Sequence, residues 1–568
     1  MKTGEQNTLY TPYEKNMTGD IPLSDYPRPN MVRESYISLN GKWDFAVSEE
    51  GADVEYTEKI LVPFPPESRL SGYGKAIPKD SVMHYRRTFS LPEGFLVGRL
   101  ILHIDACDCI SDVFVNGCAV AHNEGGYLPF SVDITENIKD GENELVIEAQ
   151  DKLSPLYPYG KQKEKRGGMW YTPTSGIWQS VWLESVPKEY IHSLKIHQCM
   201  KYAEIEVLGI SGEKLLTLSD GTSYRFLDDT IRVVPKEIRH WSPEEPYLYT
   251  FTLECGEDKV EGYFALREIG VVAVDGQKRL ALNGKPYLFN GLLDQGYFPD
   301  GLFLPATYDG FAEDILYSKS LGFNTLRKHI KIEPEIFYYL CDKLGMVVFQ
   351  DMVNNSTYSF LRDTALPTVG MKRFPDSILH TDRRSREIFK SHMLKTIERL
   401  YNFPSVLYYT IFNEGWGQFS ADIMYEVAKE ADDTRIYDAT SGWFWQKLSD
   451  VDSHHVYFKP IKIKKKSKNP IVISEFGGYS YRVPGHLFGE DNYGYRLLES
   501  KEAFTEAFLK LYDTEVRAAI LNGASAFIYT QVSDIEDETN GVLTYDRQVK
   551  KLDAEKVLPL MKELKALI

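Results

Sequence analysis

Val406 to Gly417 reads VLYYTIFNEGWG. An apolar, β-branched and aromatic run stops at Asn413-Glu414 and passes into Gly415-Trp416-Gly417. Val406 to Phe412 reads as a strand buried on both faces, the kind that parallel sheets contain. A carboxylate at the end of such a strand is costly unless the strand end opens into a site. In a (β/α)₈ barrel the carboxyl ends of the strands are where catalysis sits. One carboxylate is not a mechanism, so the rest of the chain must supply a partner.

Working outward, apolar runs and helical patterns alternate from about residue 266 onward, the signature of a parallel sheet. Strands are expected at Tyr287–Gly291, Phe323–Leu326, Met346–Phe349, Val406–Phe412, Arg435–Ala439, Asp452–Val456, Ile471–Ser474 and Ala526–Thr530. Helices are expected at Gly310–Leu321, Glu333–Leu344, Arg383–Tyr401, Ser420–Ala431 and Glu502–Asn522. Eight strands over residues 266–568 make a (β/α)₈ TIM barrel. The long connection Met352–Asp382 follows the third strand, where such loops line or cover a pocket. Pro470 to Gly478 reads PIVISEFGG and repeats the form of the opening stretch. Glu414 and Glu475 are thereby placed at the ends of the fourth and seventh strands. Two carboxylates converging on one pocket are the minimum machinery of glycoside hydrolysis. One must arrive protonated and the other ionised, so their surroundings must differ.

The preceding residues are all-β. Residues 1–187 carry short strands with turns at Asn116-Gly117 and Asp140-Gly141, and read as a jelly-roll sandwich. Residues 188–265 read as a smaller immunoglobulin-like β-sandwich acting as a spacer. The basic stretch Lys161–Gly168 (KQKEKRGG) is expected to be a solvated loop, with reach over a neighbouring site as the sharper reading. Lys462–Lys468 (KIKKKSK) is read as a solvated turn.

At 568 residues the chain is too long for one core. A net charge of -17 argues against a nucleic-acid surface, which needs a basic face. The 37 Tyr, 29 Phe and 8 Trp suit β-rich cores, and also platforms for sugar rings. No apolar run approaches a membrane span. The polar opening MKTGEQNTLYTPYEKN has no apolar signal region. The six cysteines lack zinc-ligand spacing and are expected to be reduced thiols in a cytoplasmic protein.

Several stretches, in this order, make the chain resemble glycoside hydrolase family 2, the family of β-galactosidases, β-glucuronidases and β-mannosidases. Ser38 to Phe45, Val62 to Ser68, Tyr85 to Phe89, Val113 to Gly117 and Ser175 to Trp178 resemble its sugar-binding jelly roll. Trp241-Ser242-Pro243 with Pro246, Leu248 and Tyr249 resembles its immunoglobulin-like domain, and Leu282 to Pro286 the barrel entry. The resemblance implies a retaining exo-β-glycosidase with Glu414 as acid/base and Glu475 as nucleophile, about 5–5.5 Å apart. It implies that Asn413 meets the sugar 2-hydroxyl, that Arg327 positions the nucleophile, and that His329 and Tyr457 lie near it. No match to the family's magnesium ligands is present, so neither metal nor other cofactor is expected.

Other strand-end residues are weaker candidates for substrate binding. Asp294 is read as a sugar ligand or a loop cap, and Trp443 as a stacking platform or a packed rim residue. His455 and Gln531 end the sixth and eighth strands. His454 and His455 are adjacent and point to opposite faces, which speaks against a shared ion. Glu536-Asp537-Glu538 is expected to be a solvated acidic loop, with sugar binding as the sharper account. β-Glucuronidases resembling this chain carry Asn-x-Lys-Gly after the eighth strand. Here Glu538-Thr539-Asn540-Gly541 lacks that lysine and has a glutamate in place of the asparagine. That favours a neutral sugar, with β-galactosidase first. β-Mannosidase, arabinosidase, β-glucuronidase and a catalytically silent carbohydrate-binding protein are the alternatives. The expected partner is a carbohydrate substrate, with no nucleic acid and no membrane; a homo-oligomer is left open.

Overall fold

The computed structural model describes residues 9–371, 375–463 and 467–568. The first eight residues and the middle of the basic run 462–468 therefore lie outside the described residues. None of the described helices is long and apolar enough to cross a membrane.

The barrel is built of β1 (Phe289–Asp294), β2 (Thr325–Lys328), β3 (Val347–Asp351), β4 (Val406–Asn413), β5 (Ile436–Ser441), β6 (Asp452–Val456), β7 (Ile471–Gly477) and β8 (Ala524–Thr530). All eight expected strands are present, in the spatial order 5-4-3-2-1-8-7-6, and every pairing is parallel. Every residue of β4 is buried, as its unbroken apolar run demands. Phe412 stacks on Phe389 of the helix Arg383–Leu400, with ring centroids 4.9 Å apart. Tyr408 stacks on Phe349 of β3 at 4.2 Å and belongs to the barrel's own filling. Among the described residues no ladder joins β5 to β6. The seam is bridged at the carboxyl end by side chains instead, Ser441 Oγ lying 3.0 Å from His455 Nε2.

The amino end of the barrel is closed by a small sheet of Ile269–Val274, Gln277–Leu282 and Lys285–Pro286. Leu280 and Leu282 pack there with Phe289, Val347 and Leu407. The carboxyl end stays open, with the strand-end residues facing it. The helix expected over Glu502–Asn522 is interrupted by a π-helical turn at Tyr512–Val516. The extra residue turns Tyr512 into the core, where it stacks on Phe508 at 4.4 Å and its hydroxyl meets Asn290 Oδ1 at 3.3 Å.

The jelly roll packs a four-stranded sheet against a six-stranded one around Trp43, Phe45, Tyr85, Leu102 and Ile147. The immunoglobulin-like unit packs a three-stranded sheet (Ser193–Gln198, Ala203–Leu208, Thr230–Val233) on a four-stranded one. Strong directional contacts join the units. Trp241 Nε1 donates to the carbonyl of Asp342 at 2.8 Å, and Tyr263 donates to the Asp342 carboxylate at 2.8 Å. Arg33 bridges the two sandwiches. Its guanidinium donates to Asp258 at 2.9 and 2.8 Å, to Glu184 at 3.0 Å and to the Ile191 carbonyl at 2.6 Å.

Breaking a buried ion pair from one side leaves an uncompensated charge. Arg33→Ala is expected to lower the stability of the sandwich pair by about 3–5 kcal/mol, read from the first urea transition by circular dichroism. A loss below about 1 kcal/mol, the worth of an exposed pair, would mean that the bridge is dispensable.

Candidate active site

The centre of the site is the end of β2. Arg327 is fully buried, which is unfavourable for a guanidinium unless every donor finds an acceptor. Nε donates to Asp351 Oδ1 at 2.9 Å, Nη1 to the Ser474 carbonyl at 2.9 Å and to Glu475 Oε1 at 3.1 Å, and Nη2 to Asn413 Oδ1 at 2.9 Å. One side chain thus ties together the ends of β2, β3, β4 and β7. Asp351 also accepts from His329 Nδ1 at 2.6 Å. Burial pulls His329 down to about 4, with the nearby Lys161 ammonium adding to the effect, so its ring is neutral at pH 7.

Glu475 receives three groups. Arg327 holds Oε1, the Tyr457 hydroxyl donates to Oε2 at 2.6 Å, and His455 Nδ1 stands 3.5 Å from Oε2. Burial alone would raise this carboxyl, but the positive groups facing it, His455 and Arg327 foremost, outweigh it and hold Glu475 at about 2. Tyr457 is itself fixed by Thr530 Oγ1 at 2.8 Å and by stacking on Tyr495 at 4.0 Å. Gly478 must be glycine here, because a Cβ would stand 2.3 Å from the Tyr495 ring at a φ of +69°.

Glu414 lies in different surroundings. Its φ is +54°, a left-handed turn just past β4 that swings the carboxylate over the strand ends. The turn is held from both sides: Glu414 N donates to the Ser441 carbonyl at 2.9 Å, and Trp443 Nε1 donates to the Glu414 carbonyl at 2.8 Å. Gly415 follows at φ +73°, where a Cβ would stand 2.0 Å from the Phe444 ring. The Asn-Glu-Gly pattern is therefore a backbone requirement of the elbow. Its carboxylate is 23% exposed and meets His455 Nδ1 at 2.7 Å. Oxygens of Glu414 and Glu475 and His455 Nδ1 all lie within 4.8 Å of one another. Among the described residues this is the group of three that has the donor set for a metal ion. As they stand, the three are joined to one another, to Tyr457 and to Arg327 by hydrogen bonds and ion pairs. A cation would have to displace those contacts.

These groups line one cavity at the carboxyl end of the barrel. Of the residues singled out from sequence, His329, Asn413, Glu414, Tyr457 and Glu475 line it, while Arg327 and His455 stand directly behind the two carboxylates. The remaining three are turned away from it. Asp294 is taken by Lys328 at 2.7 Å and by Gly296 N at 2.9 Å; its neighbour Gln295 faces the cavity instead. Trp443 gives its indole N–H to the Glu414 and Asp363 carbonyls and so fixes the elbow from outside the cavity lining. Gln531 is fully buried, donating to Glu538 Oε2 and Asn540 Oδ1 at 2.7 Å each.

Two loops read as solvated are instead part of the wall. Glu536, Asp537 and Glu538 are all buried. The reason is the basic loop from the jelly roll: Arg166 reaches Asp537 at 3.4 Å and Glu536 at 3.6 Å, Thr172 N donates to Glu536 at 2.9 Å, and Tyr171 donates to Glu538 at 3.0 Å. Lys161, Met169 and Trp170 of that loop and Glu538 and Asn540 of the other line the cavity. Tyr358, Trp416, Tyr493 and Tyr495 complete an aromatic rim. Single-strand periodicity does not report these residues; the complementary charge of KQKEKRGG and DIEDE was the available signal.

Residues 272–557 match the family model for the TIM barrel domain of glycosyl hydrolases family 2, and residues 36–187 match that family's sugar-binding domain. A β-galactosidase of Aeromonas hydrophila is 25% identical over 485 residues, spanning 76% of this chain and 44% of that protein. A β-galactosidase of Thermoanaerobacter pseudethanolicus is 24% identical over 480 residues, spanning 78% and 59%. The chain thus spans about half the length of the curated relatives it matches. The solved β-D-glucuronidase of Dictyoglomus thermophilum shares the fold with a TM-score of 0.73 at 17% identity, over 95% of this chain and 98% of that one. With the barrel model matching half of its length and the sugar-binding model most of the jelly roll, the chain belongs to glycoside hydrolase family 2.

Proposed function

We propose that the chain is a retaining exo-β-glycosidase that removes a terminal neutral sugar, with β-galactosides the first candidates. The observation that carries this reading is the approach of Glu414 and Glu475 to within 4.8 Å through His455. Inverting enzymes hold their carboxyls roughly 6.5–9.5 Å apart to admit a water, whereas a nucleophile and an acid/base stand about 5–5.5 Å apart. A pocket closed on one side by the jelly-roll loop suits a chain end rather than a chain interior. The curated relatives' description as β-galactosidases supports the choice of sugar.

In the first step Glu475 attacks the anomeric carbon and Glu414 gives its proton to the glycosidic oxygen. The aglycone leaves as its alcohol, and an ester joins the sugar to Glu475. In the second step Glu414 takes a proton from water, the oxygen attacks the anomeric carbon, and the ester bond breaks. Asn413 uses its Oδ1 on Arg327, which leaves its amide N–H groups for the sugar 2-hydroxyl.

The placement of Glu414 has a structural basis. Ser474 donates to the His454 carbonyl at 3.4 Å and accepts from Ser441 at 2.9 Å. Ser441 Oγ must then accept from His455 Nε2–H. His455 Nδ1 in turn meets Glu414 Oε1 at 2.7 Å, so the chain of hydrogen bonds ends on that carboxyl and fixes its direction. The same chain holds the acid/base in place while Arg327 and Tyr457 hold the nucleophile ionised.

Glu475→Gly is expected to abolish hydrolysis, and azide to restore turnover of a β-glycoside with an activated leaving group, giving the α-glycosyl azide. Hydrolysis that survives unchanged, with no rescue, would refute the nucleophile assignment. A panel of nitrophenyl β-galactoside, β-mannoside, α-arabinoside and β-glucuronide reads the sugar. Galactoside is expected to lead, and inactivity on all four with measurable sugar binding would mark a silent binder.

Arg327→Met removes the cation from two buried carboxylates and is expected to cost about 3–5 kcal/mol at pH 7. Glu475 is depressed to about 2 in the folded parent, below its unfolded value. The parent's share of stability is therefore present above about pH 4.5 and falls away below it. In the variant the buried carboxyl rises and takes up a proton while folded. The stability gap should accordingly shrink between pH 7 and pH 4 in urea titrations; a constant gap would mean that Arg327 does not control Glu475.

A further inference from the structure

The jelly roll brings a charge into the pocket that the reaction does not use. Lys161 lines the cavity beside His329 and Glu538. Among the described residues no carboxylate oxygen lies within 4.0 Å of its ammonium, and the nearest ring, Tyr171, is centred 5.8 Å away. Its loop is not free to swing. Arg166, Tyr171 and Thr172 are all bound to the acidic loop of the barrel, and Gln162 is buried, its amide oxygen accepting from Thr174 N at 2.5 Å. A lysine held in place with three unspent donors is poised for a ligand.

Glu538 is its counterpart. Tyr171 occupies one lone pair on Oε1 and Gln531 one on Oε2. A carboxylate has about four such sites, so acceptor capacity remains toward the cavity. The gap of more than 4.0 Å between the ammonium and this carboxylate leaves room for sugar hydroxyls. The acids lining the cavity are Glu414, Glu475 and Glu538, against the single ammonium of Lys161. Arg327, behind them, is already shared with Asp351. A uronate would add a fourth carboxyl to this set. A neutral diol adds no charge and offers an oxygen to the lysine and an O–H to the glutamate.

We propose that Lys161 and Glu538 grip neighbouring hydroxyls of the terminal sugar, one donating and the other accepting, and that this pair selects a neutral pyranose over a uronate. The inference rests on the glycosidase reading above, which it deepens by naming what discriminates between sugars. A hydrogen bond to a charged group is worth enough that losing one costs roughly 10–100-fold in kcat/KM.

The test uses Lys161→Met, Glu538→Gln and the double variant of the full chain, each checked for an unchanged near-UV spectrum. Each single change is expected to lower kcat/KM on the neutral glycoside about 10–100-fold, with the double variant losing less than the product of the two. Glu538→Gln is also expected to raise the glucuronide-to-galactoside ratio about 10-fold, as relief of one repulsion allows. Full activity of Lys161→Met on neutral glycosides would overturn the proposal. So would a loss confined to the β-glucuronide, which would make Lys161 the reader of a substrate carboxylate. Trp170 and Trp416 line the pocket and report free galactose by fluorescence without turnover. Galactose binding by the parent that both variants weaken, with no hydrolysis of any glycoside, would refute the glycosidase reading and uphold the grip. No binding and no hydrolysis by the parent would refute both.

Discussion

The buried guanidinium of Arg327 is the constraint on which the site depends. Taking that charge out of water is affordable only because its donors meet Asp351, Glu475, Asn413 and the Ser474 carbonyl in one plane. The planar fork is what allows one residue to serve four strand ends; a lysine would offer a point charge with no fixed directions. The arrangement also acts in reverse. Glu475 stays ionised despite its burial because the fork and Tyr457 hold its two oxygens. A floor of fixed charge thus lies beneath the place where a sugar's anomeric carbon would sit.

Above that floor the two glutamates are separated by their surroundings rather than by their type. Glu475 ends a ladder-bound strand, while Glu414 sits on a left-handed elbow at φ +54° and is partly exposed. His455 stands between them across the seam where β5 and β6 share no ladder. The open seam gives His455 its second contact, because Ser441 of β5 turns to meet Nε2 rather than pairing through the backbone. A gap in the sheet and the chain of hydrogen bonds from Ser474 to Glu414 are here the same feature.

The barrel was legible because buried parallel strands and amphipathic helices have distinct periods, and because VLYYTIFNEGWG and PIVISEFGG break off at matching carboxylates. Arg327 and Tyr457 end strands too, and the resemblance to the family singled them out there. Asp294, Trp443 and Gln531 occupy similar strand-end positions, yet their polar atoms turn to Lys328, to the Glu414 carbonyl and to Glu538. Position along a strand predicts which end a residue occupies, not which neighbour will claim its polar atoms. The loops failed for another reason. KQKEKRGG and DIEDE are each what a solvated segment looks like; Lys163 to Lys165 do stay exposed, while DIEDE is buried where Arg166 reaches it across some 370 positions of sequence.

That pairing bears on why the jelly roll belongs to the site at all. An isolated barrel would leave Glu536, Asp537 and Glu538 facing water, with mutual repulsion opening the loop. Burial pushes Glu536 up to about 7, so its loop is poised between charged and neutral and is settled by Thr172 and Arg166. Docking the basic loop removes the repulsion, places Glu538 against Tyr171, and sets Lys161, Met169 and Trp170 into the wall in the same movement. Interdomain electrostatics and the shape of the sugar pocket are therefore one quantity. A change that weakens the docking would widen the pocket before it unfolds either domain, so loss of sugar discrimination would precede loss of structure.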